Sequence, residues 1–150
     1  MKIYIGADHG GFALKNKIIE FLKPYMNEVI DCGAYQLSSV DDYPEFAIPL
    51  AQKVAAETGS FGILICKSGI GMSIAANKIK GAYAALCTSI ERGIMAREHN
   101  EANIVCLDAE FISDELNIQI MKTFIDTLFT YDDRHIRRIS KIQKFEKAQP

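Results

Sequence analysis

The sequence lacks the features that mark several classes of protein. Basic residues do not outnumber acidic ones, since 17 Lys and Arg stand against 19 Asp and Glu, whereas a nucleic-acid-binding surface normally needs a strongly basic face. No apolar run approaches the ~20 residues that a membrane-spanning helix needs, and the chain contains no repeat or low-complexity tract. These absences favour a cytoplasmic enzyme or binding protein, with neither nucleic acid nor a membrane as its expected partner.

Cysteine is present but scattered. The four positions, Cys32, Cys66, Cys87 and Cys106, form no CxxC pair. The sequence therefore has neither a zinc knuckle nor a thioredoxin-like motif, and we expect all four thiols to be reduced.

Short β-branched apolar runs alternate with longer amphipathic ones, which predicts repeated strand, helix, strand units. The chain has 150 residues, 49% of them hydrophobic, so we expect one domain spanning 1–150. The predicted strands are Ile3–Ala7, Glu28–Asp31, Gly62–Cys66, Ala82–Cys87 and Asn103–Leu107. The predicted helices are Phe12–Tyr25, Pro44–Glu57, Gly71–Ile79, Ser89–His99, one after Ser113, and a C-terminal helix through "RHIRRISKIQKFEK". Strands such as "GILIC" are apolar throughout, as in sheets buried on both faces. The expected fold class is α/β, a doubly wound, three-layer α/β/α fold with a five-stranded parallel sheet.

One proline conflicts with its predicted helix. Pro44 suits a first helical turn, but Pro49 lies five residues further along, where it removes a backbone donor. We expect Pro49 to kink the helix or delay its start.

Ligands bind parallel sheets outside the carboxyl ends of the strands. Asp8 and His9 follow the first predicted strand, and residues 66–71 include the end of the third and the turn after it. His99 and Asn100 end a helix that begins at this edge, so they are expected on the opposite side of their own subunit. If they belong to the site, a neighbouring subunit brings them.

The stretch "ICKSGIGMSIAANK", residues 65–78, passes from a strand through a glycine turn into a helix. It lacks the GxxxxGK[ST] pattern of a phosphate-binding loop, and "GIGMSI" has isoleucine where a dinucleotide fingerprint needs glycine or alanine. What remains is a tight turn at Gly69 and Gly71 whose amides, from Lys67 to Gly71, face an anion at a helix N-terminus.

Cys66 opens this turn. A helix N-terminus and the ammonium of Lys67 both stabilise a thiolate, so Cys66 could act as a base or a nucleophile. The alternative is a packing role, since cysteine is among the most often buried residues. The spacing alone leaves both interpretations open.

The chain resembles the ribose-5-phosphate isomerase B family and its allose- and galactose-6-phosphate isomerase relatives. The resemblance spans nearly the whole chain and is carried by "GADHGG", "DYPEFA", "CKSGIGMSIAANKIKG", "REHNEAN" and "RHIRRI". It implies interconversion of D-ribose 5-phosphate and D-ribulose 5-phosphate in the non-oxidative pentose phosphate pathway. It also implies a three-layer α/β/α Rossmann-like fold, a homodimer with active sites at the subunit interface, and no metal or organic cofactor. A tetramer formed by pairing of dimers stays open as an alternative.

Residue roles follow from the same resemblance. Cys66 matches the base that moves a proton from C2 to C1 through a cis-enediolate, and His99 matches the acid that opens the furanose ring. Asp8 and Ser68 match assisting groups, and the amides of residues 67 to 71 match an oxyanion hole.

The remaining matched positions bind substrate. Asn100 corresponds to a hydroxyl ligand and Tyr43 to a wall of the sugar site. His9, Arg134 and Arg138 correspond to phosphate ligands. The expected turn contacts are Lys67, Ser68, Gly69, Ile70 and Gly71.

Two positions depart from the family pattern. Lys67 stands where most members carry glycine, and Glu110 aligns with an arginine that binds phosphate in many members. Two other functions therefore stay open: a six-carbon sugar phosphate isomerase, and a non-catalytic module that binds a nucleotide or a sugar phosphate.

Overall fold

The computed structural model describes residues 1–25 and 28–149. The strands are β1 Lys2–Ala7, β2 Glu28–Asp31, β3 Phe61–Cys66, β4 Ala84–Leu86 and β5 Ile104–Asp108. The helices are α1 Phe12–Leu22, α2 Pro44–Ala56, α3 Ile70–Ala76, α4 Ile90–Asn100, α5 Asp114–Asp126 and α6 Asp133–Ala148. The strands form one parallel sheet in the order β2-β1-β3-β5-β4.

Helices cover both faces of this sheet. One apolar cluster joins the inner faces of α1 and α5 to β1, β3 and β5, through residues such as Ile18 and Phe124. A second joins α2 and α3 to the opposite face, through residues such as Leu50 and Met72. Both faces of β3 are therefore buried, which explains its unbroken apolar sequence. The predicted three-layer α/β/α fold with a five-stranded parallel sheet is confirmed.

Several elements end earlier than predicted. α1 stops at Leu22 rather than Tyr25, two residues before Pro24. α3 stops at Ala76 rather than Ile79 because the Asn77 side chain bonds both backbone groups of Ala84, accepting at 2.9 Å and donating at 2.8 Å. β4 is shortened to Ala84–Leu86 from the predicted Ala82–Cys87, since it lies at the sheet edge and pairs only with β5.

The prediction that Pro49 delays its helix is wrong. α2 begins at Pro44 and continues through Pro49 to Ala56. Pro49 lies on the exposed side, so its ring meets solvent rather than a neighbour. The opposite face, with Leu50 and Val54 buried, supplies the packing that offsets one missing hydrogen bond.

The helices α4 and α5 begin where the sequence predicted, next to Ser89 and Ser113. Ser89 caps α4 by accepting a hydrogen bond from the Arg92 amide, and Ser113 caps α5 by accepting one from the Leu116 amide. α6 packs against α4. Over residues 1–25 and 28–149, no helix is both long enough and apolar enough to cross a membrane.

Candidate active site

Polar side chains gather where β1 and β3 end. We call Asp8, His9, Asp41, Tyr43 and residues 66–71 the carboxyl-edge cluster. β1 and β3 are hydrogen-bonded neighbours, with Ala7 opposite Ile65. The residues that follow them therefore meet at one edge of the sheet, as the sequence predicted.

Cys66 ends β3 and is buried, with 6% of its surface exposed. The backbone amide of Gly69 donates a hydrogen bond to its Sγ at 3.1 Å. Gly69 adopts φ +71°, a left-handed conformation that an L side chain rarely takes. The glycine therefore lets the chain turn back so that its amide faces the sulfur.

Asp8 lies beside this turn and is also buried. Its Oδ1 accepts hydrogen bonds from the amides of Gly10 at 2.9 Å and Gly11 at 3.3 Å. Burial raises the pKa of Asp8, and the nearby Asp41 carboxylate adds to the shift, while the two amide bonds oppose it. Asp8 is thus a buried carboxyl group held in place beside the glycine turn by two backbone amides.

His9 is held by the loop before α2. Asp41 Oδ1 accepts from the His9 backbone amide at 3.0 Å and lies 2.6 Å from the ring Nδ1. This hydrogen bond raises the pKa of His9, and the neighbouring Lys67 ammonium opposes the shift. His9 is thus a cation-forming group beside the anion-binding turn.

Close packing joins the motifs to one another. A Cβ built on Gly10 comes 2.6 Å from Lys67 Cγ, so the lysine stem lies directly over this glycine. A Cβ on Gly71 comes 2.8 Å from the Tyr43 ring, so Gly71 is needed for the ring to approach the turn. The Ser68 hydroxyl accepts a hydrogen bond from the Ile70 amide at 3.3 Å.

Glu110 lies at the same edge. Its backbone amide donates to the Lys67 carbonyl at 3.0 Å and to Asp108 Oδ1 at 3.0 Å. The side chain of buried Asn117 fixes this loop from behind by donating to the Asp108 carbonyl at 2.7 Å. The two positions that depart from the family pattern, Lys67 and Glu110, are therefore neighbours.

A second group of polar side chains lies around the end of α4. We call His99, Asn100, Arg134, His135 and Arg138 the amino-edge cluster. The rings of His99 and His135 meet edge to face with centroids 4.5 Å apart. Arg134 and Arg138 lie four residues apart on α6, hence on one face, and both are exposed.

The two clusters occupy opposite edges of the sheet. Three residues after α4, the Asn103 carbonyl accepts a hydrogen bond from the amide of Gly62, near the start of β3. Cys66 lies four residues further along this strand, about 13 Å away. Within one chain, the structure therefore brings the predicted residues together as two separate groups.

Sequence reasoning did not select two residues that the structure places in these groups. Asp41 contacts His9 across 32 residues of sequence, and its only signal is its position just before the "DYPEFA" motif. His135 is 2% exposed and its Nδ1 has no hydrogen-bond partner in residues 1–25 and 28–149. Its signal was the apolar spacing with Ile139, which places both on the inner face of α6.

Metal ligation finds no support in the described part of the chain, where no group of three or more His, Cys, Asp or Glu side chains could hold an ion. The expectation of a reaction without a metal or organic cofactor stays a prediction. The carboxyl-edge cluster offers other chemistry: a buried sulfur beside an amide, a buried carboxyl group whose pKa is raised and an imidazole whose pKa is raised.

An open parallel sheet with a glycine turn and cationic groups at its carboxyl edge is typical of Rossmann-like proteins that bind phosphorylated small molecules. The profile of one family, described as Ribose/Galactose Isomerase, matches residues 3–142. The chain belongs to this family, and the resemblance drawn from its motifs is confirmed.

Individual relatives agree with this assignment. The chain is 42% identical over 147 residues to the probable ribose-5-phosphate isomerase B of Mycoplasma pneumoniae, covering 98% of this chain and 96% of that protein. It is 41% identical over 148 residues to ribose-5-phosphate isomerase B of Mycobacterium tuberculosis, covering 99% and 91%.

Solved structures give the same result. The crystal structure of ribose-5-phosphate isomerase B from Mycoplasma genitalium with bound ribulose-5-phosphate matches with a TM-score of 0.95 at 42% identity, over 99% of this chain and 97% of that one. Ribose-5-phosphate isomerase B from Clostridium thermocellum matches with a TM-score of 0.93 at 44% identity, over 98% of both chains.

Proposed function

We propose that this protein is an aldose-ketose isomerase that interconverts D-ribose 5-phosphate and D-ribulose 5-phosphate, a step of the non-oxidative pentose phosphate pathway. Family membership and the bound ribulose-5-phosphate in the Mycoplasma genitalium structure support this substrate. The observation that carries the chemistry is the buried Cys66 sulfur, which accepts a hydrogen bond from the Gly69 amide at 3.1 Å. Asp8 lies next to the same turn.

Cys66 is the base of the proposed reaction. Its thiolate takes the proton from C2 of the open-chain aldose, and the C2 electrons pass into a cis-enediolate. The thiol then returns the proton to C1, while the O2 proton moves to O1 and C2 becomes the carbonyl carbon. Asp8, buried with a raised pKa, and Ser68 assist the transfer between the two oxygens.

The turn after β3 stabilises the charge that develops on those oxygens. The amides of residues 67 to 71 act as the oxyanion hole, where the loss of one donor typically costs about 3 to 4 kcal/mol. Tyr43 packs over Gly71 and forms a wall of the sugar site.

Ring opening and phosphate binding need the amino-edge cluster of a second copy. Because the two clusters lie at opposite edges of one chain, we propose a homodimer in which each site combines both. Tetramers formed by pairing of dimers remain compatible with this arrangement. His99 protonates the ring oxygen, Asn100 binds a hydroxyl, and Arg134 and Arg138 meet the phosphate opposite His9.

The reaction also suggests a compartment. A thiolate base needs a reduced cysteine, and cytoplasmic redox systems keep thiols reduced. We therefore place the enzyme in the cytoplasm.

A six-carbon sugar phosphate isomerase is the second candidate, since the matched family includes galactose isomerases. The decisive experiment incubates the protein with ribose 5-phosphate, allose 6-phosphate and galactose 6-phosphate and follows the ketose product. The proposal predicts the highest kcat/KM for ribose 5-phosphate. A preference for either hexose phosphate favours the second candidate, and no turnover of any favours a non-catalytic binding module.

A further inference from the structure

Asp41 and His9 lie on different loops and are joined by two hydrogen bonds. A single oxygen of Asp41, Oδ1, accepts from the His9 backbone amide at 3.0 Å and from the ring Nδ1 at 2.6 Å. The first bond fixes the backbone and the second fixes the ring, so both the position and the orientation of the imidazole are set. The opposite ring nitrogen, Nε2, is directed away from Asp41.

The two partners differ in exposure. The Asp41 side chain is 10% exposed, while the His9 side chain is 33% exposed. Asp41 is thus a buried support behind a half-exposed ring. Its second oxygen, Oδ2, is buried without a hydrogen-bond partner in residues 1–25 and 28–149, so the carboxylate directs its charge mainly at His9.

The tautomer decides what Nε2 can do. Because the carboxylate accepts from Nδ1, that nitrogen carries a proton in both charge states. In neutral His9 the Nε2 lone pair would face a phosphate and repel it, whereas in the cation Nε2–H donates to it. Phosphate binding by this ring therefore requires the cation.

We propose that Asp41 is a positioning residue for substrate binding, which orients His9 and keeps it cationic so that Nε2–H can bind the substrate phosphate. The inference rests on the proposed function, in which His9 is a phosphate ligand. It assigns the acidic residue before "DYPEFA" to the reaction, although this residue touches no substrate.

Three charged groups face His9 from the elements around it. Asp41 on the loop before α2 and Asp8 at the end of β1 favour the cation, and Lys67 on the turn after β3 opposes it. The Asp41 hydrogen bond is the largest influence, and it raises the pKa of His9. The cation is therefore present below the ordinary histidine pKa and is lost only as the pH rises through the raised value. Without Asp41 this loss begins nearer pH ~6.5.

The test is Asp41→Asn, which keeps the shape and an acceptor but removes the charge. At about pH 8, where the phosphate is a dianion, KM for ribose 5-phosphate should rise severalfold, up to about tenfold, with a smaller change in kcat. At about pH 6, where His9 is largely protonated in both proteins, the two KM values should agree within about twofold. The matched control is Asp42→Asn, which removes the same charge from the adjacent exposed position and should leave both values unchanged.

Two further measurements separate positioning from a merely structural role. In a His9→Gln background, Asp41→Asn should have no additional effect on KM. NMR titration of the imidazole of His9, assigned by its loss in His9→Gln, should give a higher pKa in the wild type than in Asp41→Asn. A KM rise that is equal at both pH values, or that persists in the His9→Gln background, would overturn the proposal.

The titration also keeps this inference apart from the proposed function. If the wild type does not isomerise ribose 5-phosphate, the proposed function fails, yet the titration and the binding of inorganic phosphate still report on Asp41. If Asp41→Asn does not fold, the wild-type titration decides alone: a His9 pKa at or below its ordinary value contradicts the inference.

Discussion

The carboxyl-edge and amino-edge clusters differ in how completely one chain satisfies them. At the carboxyl edge, Cys66, Asp8 and His9 each have a hydrogen-bond partner from within the chain. At the amino edge, Arg134 and Arg138 extend into solvent. Each cluster also holds one buried atom without a partner among the described residues, Asp41 Oδ2 at the carboxyl edge and His135 Nδ1 at the amino edge. A buried polar atom without a partner costs free energy.

This difference fits the proposed roles, with the base at the carboxyl edge and the ring-opening acid and the two phosphate-binding arginines at the amino edge. The carboxyl edge is rigid and internally bonded, which suits a base that must be aimed at one carbon atom. The amino edge presents two exposed arginines and an imidazole, with Asp132 3.6 Å from Arg134 and Glu98 3.8 Å from His99. Such groups suit a phosphate that arrives together with a second copy of the chain.

The largest effect is expected at the carboxyl edge. Cys66→Ala removes the proposed base, so isomerisation should fall by roughly 10³-fold or more, since a positioned base contributes about 10²- to 10⁴-fold. The kcat for ribose 5-phosphate measures the loss, and thermal unfolding checks that the fold survives. Cys32→Ala is the matched control, because Cys32 is a half-buried cysteine at the end of β2 outside the cluster. Substantial turnover in Cys66→Ala would remove the thiolate from the mechanism.

The next effect separates ring opening from isomerisation. His99→Asn should lower kcat/KM for ribose 5-phosphate by about 100-fold, because its furanose must be opened by an acid. With erythrose 4-phosphate, which has no furanose ring to open at this site, the loss should stay below about threefold. Equal losses on both substrates would show that His99 does something other than open the ring.

A smaller effect is expected at Lys67 and Glu110, the two residues of the carboxyl edge that depart from the family pattern. The Glu110 amide bonds the Lys67 carbonyl, so their side chains share one neighbourhood near the proposed phosphate site. Glu110→Arg replaces repulsion of the phosphate by attraction and should lower KM by up to about tenfold, reduced by solvent screening at this exposed position.

Lys67→Gly and the double variant complete a cycle with Glu110→Arg. If the two departures compensate each other, the effects on KM should not add. Strict additivity would exclude compensation. A higher KM in Glu110→Arg would show instead that Glu110 orients a cation, and no change in any variant would mean that Glu110 points away from the phosphate.

The fold could be predicted from the sequence because local patterns determine most of its strands and helices. β-branched runs form the strands, Ser89 and Ser113 cap two helices, and the glycines after β3 allow the chain to turn. Each of these effects acts within a few residues. Boundaries failed where a distant contact decides them. Asn77 ends α3 by bonding Ala84. The packing of Leu50 and Val54 on the buried face of α2 offsets the cost of Pro49 on the exposed side. Periodicity reveals neither effect.

The positions of the candidate site residues were predictable where they depend on local sequence, and not where they depend on distant contacts. Residues that follow strands, such as Asp8 and Cys66, are found by counting from the strand ends. Asp41 was not selected, because its contact with His9 depends on the path of a loop. His135 was not selected, because its contact with His99 depends on how α6 packs on α4.

In the proposed homodimer, one active site takes Cys66 from one copy and His99 from another. The most direct test is co-expression of Cys66→Ala and His99→Asn chains with different affinity tags, followed by purification of the doubly tagged species. Each mixed dimer then has one intact site and one doubly altered site, so its activity should reach about half that of the wild type, whereas either variant alone should retain about 1% or less. A doubly tagged species without activity, or the absence of any doubly tagged species, would contradict a site shared between two chains.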